Sequence, residues 1–446
     1  MRSILHTPFC YWPDPIGGTE VYVRGLAAAL HKQRIRCSIA APGTCDQQYT
    51  HGDSDVYRYK TSPYISPEQM YGDGDPVAAA GFGRVLDIVK PDVVNFHAFT
   101  SGVSLLAAQE AKRRNIPVVL TYHTPTVSCP RGTLLELGTA VCDGRLDTSR
   151  CTKCTAHAHG APTLLASLIA AVPQWAGRSL GKTGLHGGAW TALRMSSLIA
   201  LREKTFRRMV DSADEIVAVC EWVRNLLITN GVPAEKITLS RQAIPSTRIG
   251  AVAERATSAD GVLRIAFLGR IDSTKGIDVL IRAIHGLTGL PIELDVYGIA
   301  QGDAGEALQQ RLQSLSASAR QIRFLTPISA DDVMHTLQRY DVLAAPSQCL
   351  ETGPLVVYEA FGAGIPVIGS NLGGIAEIVT HERDGLLVEH NSVNAWQNAI
   401  RRLVDEPGLL PQLRRGIRAP RTMELAASEM MAVYEKVMHI GAATVV

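Results

Sequence analysis

The sequence has no run of the ~18–20 uninterrupted apolar residues that a bilayer-crossing helix needs, so no membrane-spanning helix is expected. It has no internal repeat and no low-complexity tract, which excludes solenoids and disordered scaffolds. Surplus charge is also missing, since 44 Lys and Arg against 42 Asp and Glu leave a formal +2. A protein whose main partner is nucleic acid usually carries a basic excess, so that class is set aside. Aromatics are sparse at 6%, but 46% apolar residues are enough for sizeable cores, and 446 residues are too many for one ordinary core. Two or three globular domains are expected. Met1–His6 reads as the start of a strand and not as the apolar centre of an export leader, so a cytoplasmic protein is expected.

Short β-branched or apolar runs alternate with helical periods, as parallel α/β sheets require. Strands are expected at Ser3–Cys10, Arg36–Ala41, Val93–Phe99, Val118–His123 and Glu215–Cys220. A second series is expected at Leu263–Leu268, Glu293–Tyr297, Ile322–Leu325, Val342–Ala345, Val367–Ser370 and Leu386–Val388. The pattern predicts an N-terminal doubly wound domain over 1–243, with an insertion at about 124–204 where the alternation breaks down. It predicts a second such domain over 244–422, and a helix within 423–446 that caps or crosses back to the first domain. Ala243–Arg248 reads as the linker. In such folds ligands bind at the carboxyl ends of the strands, so chemistry is expected on strand-to-helix loops around an interdomain cleft.

The most informative run is Glu351-Thr-Gly-Pro-Leu-Val-Val-Tyr-Glu359, just after the strand ending at Ala345. Gly353 and Pro354 suit the cap and first position of a helix whose free N–H groups, with that of Leu355, can face a diphosphate. Glu351 in the loop and Glu359 inside the helix can each accept hydroxyl hydrogen bonds, or can be solvated surface carboxylates. The Gly-rich run Phe361–Glu377 follows directly. With it, the whole segment resembles the retaining GT-B glycosyltransferases of family 4 (GT4), whose nucleotide-sugar site carries a Glu-x7-Glu signature. The resemblance implies that Glu351 contacts the transferred sugar and Glu359 the ribose.

Three other segments fit the same resemblance. Arg270 and Lys275 flank a small-residue turn after a strand and look like the family's diphosphate clamp, a guanidinium fork and a point charge. Gly17 and Gly18 open the helix Val21–His31 and look like its glycine loop near the leaving phosphate and acceptor. His123 ends a strand and matches the histidine beside the reacting centre, where it would be mostly neutral with an ordinary pKa of ~6.5.

The resemblance does not cover the insertion, where Cys129, Cys142, Cys151 and Cys154 fall close together, the last two as Cys-x2-Cys. Structural zinc on these four thiolates is expected, with an iron–sulfur cluster, free thiols or a disulfide as alternatives. No catalytic metal is expected from the resemblance. Arg194–Arg208 carries five cations and one Glu203 among apolar residues, so it reads either as a helix on an anionic membrane face or as one packed on its own domain. Three other patterns are declined. Gly177–Thr183 is one residue short of a phosphate loop, Gly81-Phe-Gly83 lacks a third glycine, and Asp53/Asp55 and Asp73/Asp75 read as solvated turns.

The expected activity is therefore transfer of a hexosyl unit from a nucleoside-diphosphate sugar to a hydroxyl of a glycan or lipid-linked glycan, with retention. A sugar-nucleotide epimerase and a non-catalytic nucleotide-sugar-binding protein are the alternatives. The donor's base and sugar, the acceptor and the oligomeric state are not readable from these residues.

Overall fold

The structure is a computed structural model that describes residues 2–15, 17–184, 187–246, 261–317 and 319–443. Ile16 of the glycine loop, Leu185 and His186 of the insertion's Gly cluster, and Thr247 and Arg248 of the linker lie outside the described residues. The chain divides into an N-terminal unit, Met1–Arg241 with Ala426–Val446, and a C-terminal unit, Gln242–Leu425. The last helix, Met423–Ala443, begins in the second and runs through the end of the first.

In the N-terminal unit the strands are β1 (Ser3–Thr7), β2 (Arg36–Gly43), β3 (Gln47–His51), β4 (Ser54–Lys60), β5 (Val93–Phe96) and β6 (Val118–Tyr122). A two-stranded ribbon, β7 (Leu135–Glu136) and β8 (Ala140–Val141), follows, and then β9 (Glu215–Ala218) and β10 (Ile237–Leu239). The main sheet runs β10-β9-β6-β5-β1-β2-β4-β3, parallel except for β3 against β4. Its order reverses between β1 and β5, so the loops leaving those two strands open at a switch point. β1, β5, β6 and β9 are buried along their whole length, as strands covered on both faces must be. The expected strands Ser3–Cys10 and Val93–Phe99 stop at Thr7 and Phe96, and their last residues become the ligand-side loops.

The C-terminal unit holds β11 (Leu263–Ile271), β12 (Ile292–Ala300), β13 (Ile322–Leu325), β14 (Val342–Ala345), β15 (Val367–Ser370) and β16 (Gly385–Val388). All are parallel, in the order β13-β12-β11-β14-β15-β16, with the switch point between β11 and β14. Apolar residues of the helix Ile277–His285, at Ile277, Leu280, Ile281 and Ile284, pack with Trp396 and Ile400 on one sheet face. Val357, Ala360 and Phe361 of the helix Leu355–Gly362, with Ile375, cover the other. Each unit is thus a doubly wound α/β domain.

The acid pairs are not all solvated turns. Asp75 is fully buried and caps the helix Pro76–Val89, accepting from Val77 N at 2.9 Å and from Ser62 N at 2.6 Å, while Asp73 holds Arg208 at 2.6 Å. Ser54 and Asp55 lie in β4.

Candidate functional site

The C-terminal switch point gathers the residues expected there. β11 carries Arg270 and leads through Asp272 to Lys275, while β14 leads to Ser347 and Glu351. Lys275 Nζ donates to Glu351 Oε1 at 2.5 Å, and Ser347 Oγ donates to the same oxygen at 2.8 Å. Burial alone pushes the Glu351 carboxyl up, but the Lys275 charge and the two hydrogen bonds more than offset it and hold it below the usual range. Burial likewise pushes the Lys275 ammonium down, and Glu351 reverses the shift. The two cations of the expected diphosphate clamp stand in different environments. Lys275 is ion-paired, because a buried ammonium needs a counter-charge, whereas Arg270 is 51% exposed and held loosely by Asp272 at 3.6 Å.

Glycines let the loops meet. Gly276 sits at φ +66°, and a Cβ there would stand 1.9 Å from Pro346 O, so β14's loop crosses directly over it. Across the same loop, Gly374 N donates to Glu351 O at 2.7 Å. A Cβ on Gly374 would lie 2.5 Å from Gly353 N. The Gly-rich run thus supports the Glu351 loop from behind. The helix begins one residue later than the spacing suggested: Pro354 is the cap, Leu355 the first helical residue, and Gly353 precedes it at φ +109°. Pro354 has the φ of −65° that its ring imposes but an extended ψ of 125°. Glu359, a turn inside, is buried at 6% exposure and not on the surface.

In the N-terminal unit, His123 follows β6 and is buried at 3% exposure. Its Nε2 lies 3.0 Å from His97 Nδ1, and His97 Nε2 lies 3.0 Å from His6 Nδ1. Each contact holds one proton, so the three rings change tautomer together. Burial pushes His123 down to about 3 and His6, with a smaller contribution from His31, also to about 3. His123 is therefore neutral at any physiological pH, more firmly than an ordinary histidine. Sequence reading missed His6 and His97. The available signal was the placement of histidines at matching ends of β1, β5 and β6, which are sheet neighbours.

Gly17 caps the helix Gly18–Lys32, and its N–H donates to Glu20 Oε2 at 2.8 Å. Its φ of −120° is open to any residue, so conformational freedom is not why glycine stands there. A Cβ there would meet Glu20 Oε2 at 3.4 Å, an ordinary contact, so packing within the chain does not require glycine either. Burial pushes the Glu20 carboxyl up.

The cysteines do not form a knuckle. Asp147 caps the helix Thr148–Ala158 by accepting from Arg150 N at 2.7 Å, which places Cys151 and Cys154 one helical turn apart. Cys154 Sγ is occupied by the β7–β8 ribbon, accepting from Leu137 N at 3.3 Å and donating to Leu135 O at 3.5 Å. Cys142 Sγ accepts from Gly144 N at 3.4 Å, and burial raises the Cys151 thiol to about 11. Among the described residues no three His, Cys, Asp or Glu side chains could share an ion. As they stand, Cys129, Cys142, Cys151 and Cys154 do not fit zinc or an iron–sulfur cluster.

The basic segment resolves as a packed helix, Met195–Ser212. Its Leu198, Ile199, Phe206 and Met209 are buried, and Arg202 is 7% exposed with its guanidinium 4.1 Å over the Phe99 ring. The near phosphate-loop glycines serve packing: a Cβ on Gly177 would lie 2.8 Å from Ser197 Oγ, and one on Gly181 3.1 Å from Arg194. Among the described residues no helix is long and apolar enough to cross a membrane.

Residues 253–419 match the family described as glycosyl transferases group 1, and residues 16–141 match glycosyltransferase family 4. A D-inositol 3-phosphate glycosyltransferase of Saccharomonospora viridis is 35% identical over 218 residues, 46% of this chain and 48% of its own. The chain thus spans about half the length of the curated relatives it matches. Among solved structures, a sucrose-phosphate synthase from Thermosynechococcus elongatus has a TM-score of 0.67 at 17% identity, over 99% of this chain and 100% of the other. An Anabaena protein in complex with UDP and glucose has a TM-score of 0.62 at 13% identity, over 98% and 100%.

Proposed function

The chain belongs to the family 4 glycosyltransferases of the GT-B fold, and from that premise we propose that it transfers a hexosyl unit from a nucleoside-diphosphate sugar to an acceptor hydroxyl, with retention. The observation that carries the reading is the Lys275–Glu351 pair at the C-terminal switch point, held at 2.5 Å beside the exposed Arg270 guanidinium. A carboxylate with one oxygen fixed by Lys275 and Ser347 is pre-oriented to accept hydrogen bonds from sugar hydroxyls. Arg270 stabilises the departing diphosphate, which gains charge as its bond to the anomeric carbon breaks. The new bond forms from the acceptor oxygen on the same face, and its proton passes to the leaving phosphate. The Gly353–Leu355 backbone at the following helix end also faces the diphosphate, and Glu359 holds the ribose.

In the N-terminal unit, neutral His123 exchanges hydrogen bonds with sugar hydroxyls and Gly17–Gly18 border the leaving phosphate. The acceptor class we propose is a glycan or lipid-linked glycan. The S. viridis relative is named for a smaller acceptor, D-inositol 3-phosphate, so that compound belongs in the same screen.

The test is calorimetry of UDP, GDP and ADP with the full chain, followed by transfer assays with the matching sugar nucleotides and product anomer assignment by NMR. Arg270→Ala should weaken diphosphate binding about tenfold, the worth of one charge-assisted hydrogen bond. Glu351→Gln should lower turnover with little change in nucleotide affinity. A folded protein that binds no nucleoside diphosphate sinks the reading, and an inverted product sinks the retaining mechanism alone.

A further inference from the structure

The insertion contains a surface that the donor chemistry leaves unexplained. Of the fifteen large apolar residues exposed in the described chain, six lie between residues 164 and 193. They sit on three short helices, Thr163–Ala170, Gln174–Gly181 and Gly188–Leu193, all packed on the helix Met195–Ser212. The first of these is apolar on both sides. Ala166 and Ile169 face inward against Met195 and Ile199. Leu164, Leu165 and Leu168, spaced to share the opposite face, are 83%, 49% and 69% exposed. Trp175 on the second helix is 67% exposed and Trp190 on the third 37%. The close approach at Gly177 turns the second helix so that Trp175 and Arg178 point outward.

Charge identifies what covers this face. Residues 148–202 contain six Lys or Arg and no Asp or Glu; Arg150 and Arg194 pair with Asp143 and Glu68 and Arg202 is buried over Phe99, which leaves Lys153, Arg178 and Lys182. Arg178 in the second helix and Lys182 at its C-terminal cap are exposed. Leucine faces with tryptophans and unopposed cations suit the boundary of an anionic bilayer: the leucines enter the acyl region, the indoles sit at headgroup depth, and the cations meet the lipid phosphates. A protein partner of ordinary composition would leave that one-signed charge uncompensated.

We propose that the helices Thr163–Ala170, Gln174–Gly181 and Gly188–Leu193 dock this chain on the surface of an anionic lipid bilayer through Leu164, Leu168, Trp175 and Trp190, with Arg178 and Lys182 on lipid phosphates. The site differs from the basic helix suggested by the sequence, whose apolar face is spent on packing. It is independent of the proposed transfer reaction, because docking requires no donor and no turnover.

The experiment is sedimentation of the full chain with vesicles of phosphatidylcholine, and with vesicles of phosphatidylcholine and phosphatidylglycerol in equal parts. Binding should be confined largely to the anionic vesicles and should fall as salt is raised. Leu164→Ser with Leu168→Ser should weaken it about tenfold per residue, and Arg178→Gln with Lys182→Gln about fivefold per charge. All variants should keep the wild-type melting temperature, since these side chains are exposed. Absence of binding to anionic vesicles, or binding unchanged in both double variants, overturns the proposal. Self-association that the leucine substitutions abolish, without vesicle binding, overturns it in favour of an interface between copies. Nucleotide binding measured in parallel separates a failure of this proposal from a failure of the donor-site reading.

Discussion

Replacing Lys275 with Met tests whether the buried ion pair organises the C-terminal site. The substitution removes the ammonium 2.5 Å from Glu351 Oε1 and leaves a carboxylate with Ser347 as its remaining named donor. Removing one partner of a buried pair costs about 3–5 kcal/mol. Taking the lower end, and ~2–4 °C per kcal/mol for a unit of this size, the C-terminal transition should fall by roughly 6–12 °C at neutral pH. The pH dependence is the sharper signature. In the wild type Glu351 titrates below its ordinary value, so its stabilisation is complete above about pH 4.3 and fades as pH falls towards the depressed value. Lys275 titrates above its ordinary value and contributes nothing to changes in this window. In the variant burial is opposed only by the Ser347 hydrogen bond and the Arg270 charge and should raise the carboxyl, so a penalty grows as pH rises. The gap between variant and wild type should therefore widen from pH 4 to pH 8. Adding Glu351→Gln should recover a large part of it, because no unpaired charge remains buried. Differential scanning calorimetry of the four proteins of this cycle at both pH values gives the answer. An equal gap at both, or a double variant no more stable than Lys275→Met, refutes the reasoning.

The histidine chain predicts acid lability of the N-terminal unit. His6 and His123 are held at about 3, so stability should fall by roughly 1.4 kcal/mol per group and pH unit as pH drops below about 6.5, and a flat melting profile from pH 7 to 5 would contradict this. Gly276→Ala should destabilise the C-terminal unit well beyond Gly289→Ala, because both residues have positive φ but only the first would put a Cβ against backbone; equal melting shifts would remove the crossing-loop argument. Elemental analysis of protein purified without chelator should find zinc and iron below stoichiometry. About one zinc per chain would instead require Cys154 to leave Leu135 and Leu137 and join Cys129, Cys142 and Cys151.

The buried parallel strands were legible because uninterrupted β-branched runs leave little alternative. All six strands of the C-terminal sheet stand within a few residues of where hydropathy puts them, and Ile277–His285 matches at both ends. The missed strands of the main sheet are the edge strand β3, its neighbour β4 and the three-residue β10; β3 and β4 carry Gln48, Asp55, Arg58 and Lys60 into the pattern. Arg270, Lys275 and Glu351 were found because strand-end loops concentrate chemistry. That Lys275 and Glu351 neutralise each other was hidden, since the pairing depends on β11 lying beside β14, 76 residues apart at the contact. The same holds for His6 and His97, each unremarkable until the strand order places them in line with His123. The cysteine interval was legible, but not that the Asp147 cap sets Cys151–Cys154 in a helix or that the β7–β8 ribbon engages Cys154.

The parallel pairing of β6 with β9 has a wider consequence. These strands are direct neighbours, with Val119 opposite Glu215, and the chain between them needs only one crossover helix to return in register. Met195–Ser212 alone can be that helix. The earlier helices and the cysteine ribbon are therefore a detour taken before the crossover, and strand order sets no limit on their length or character. The detour can be lengthened, shortened or recharged while the sheet that leads to His123 keeps its wiring.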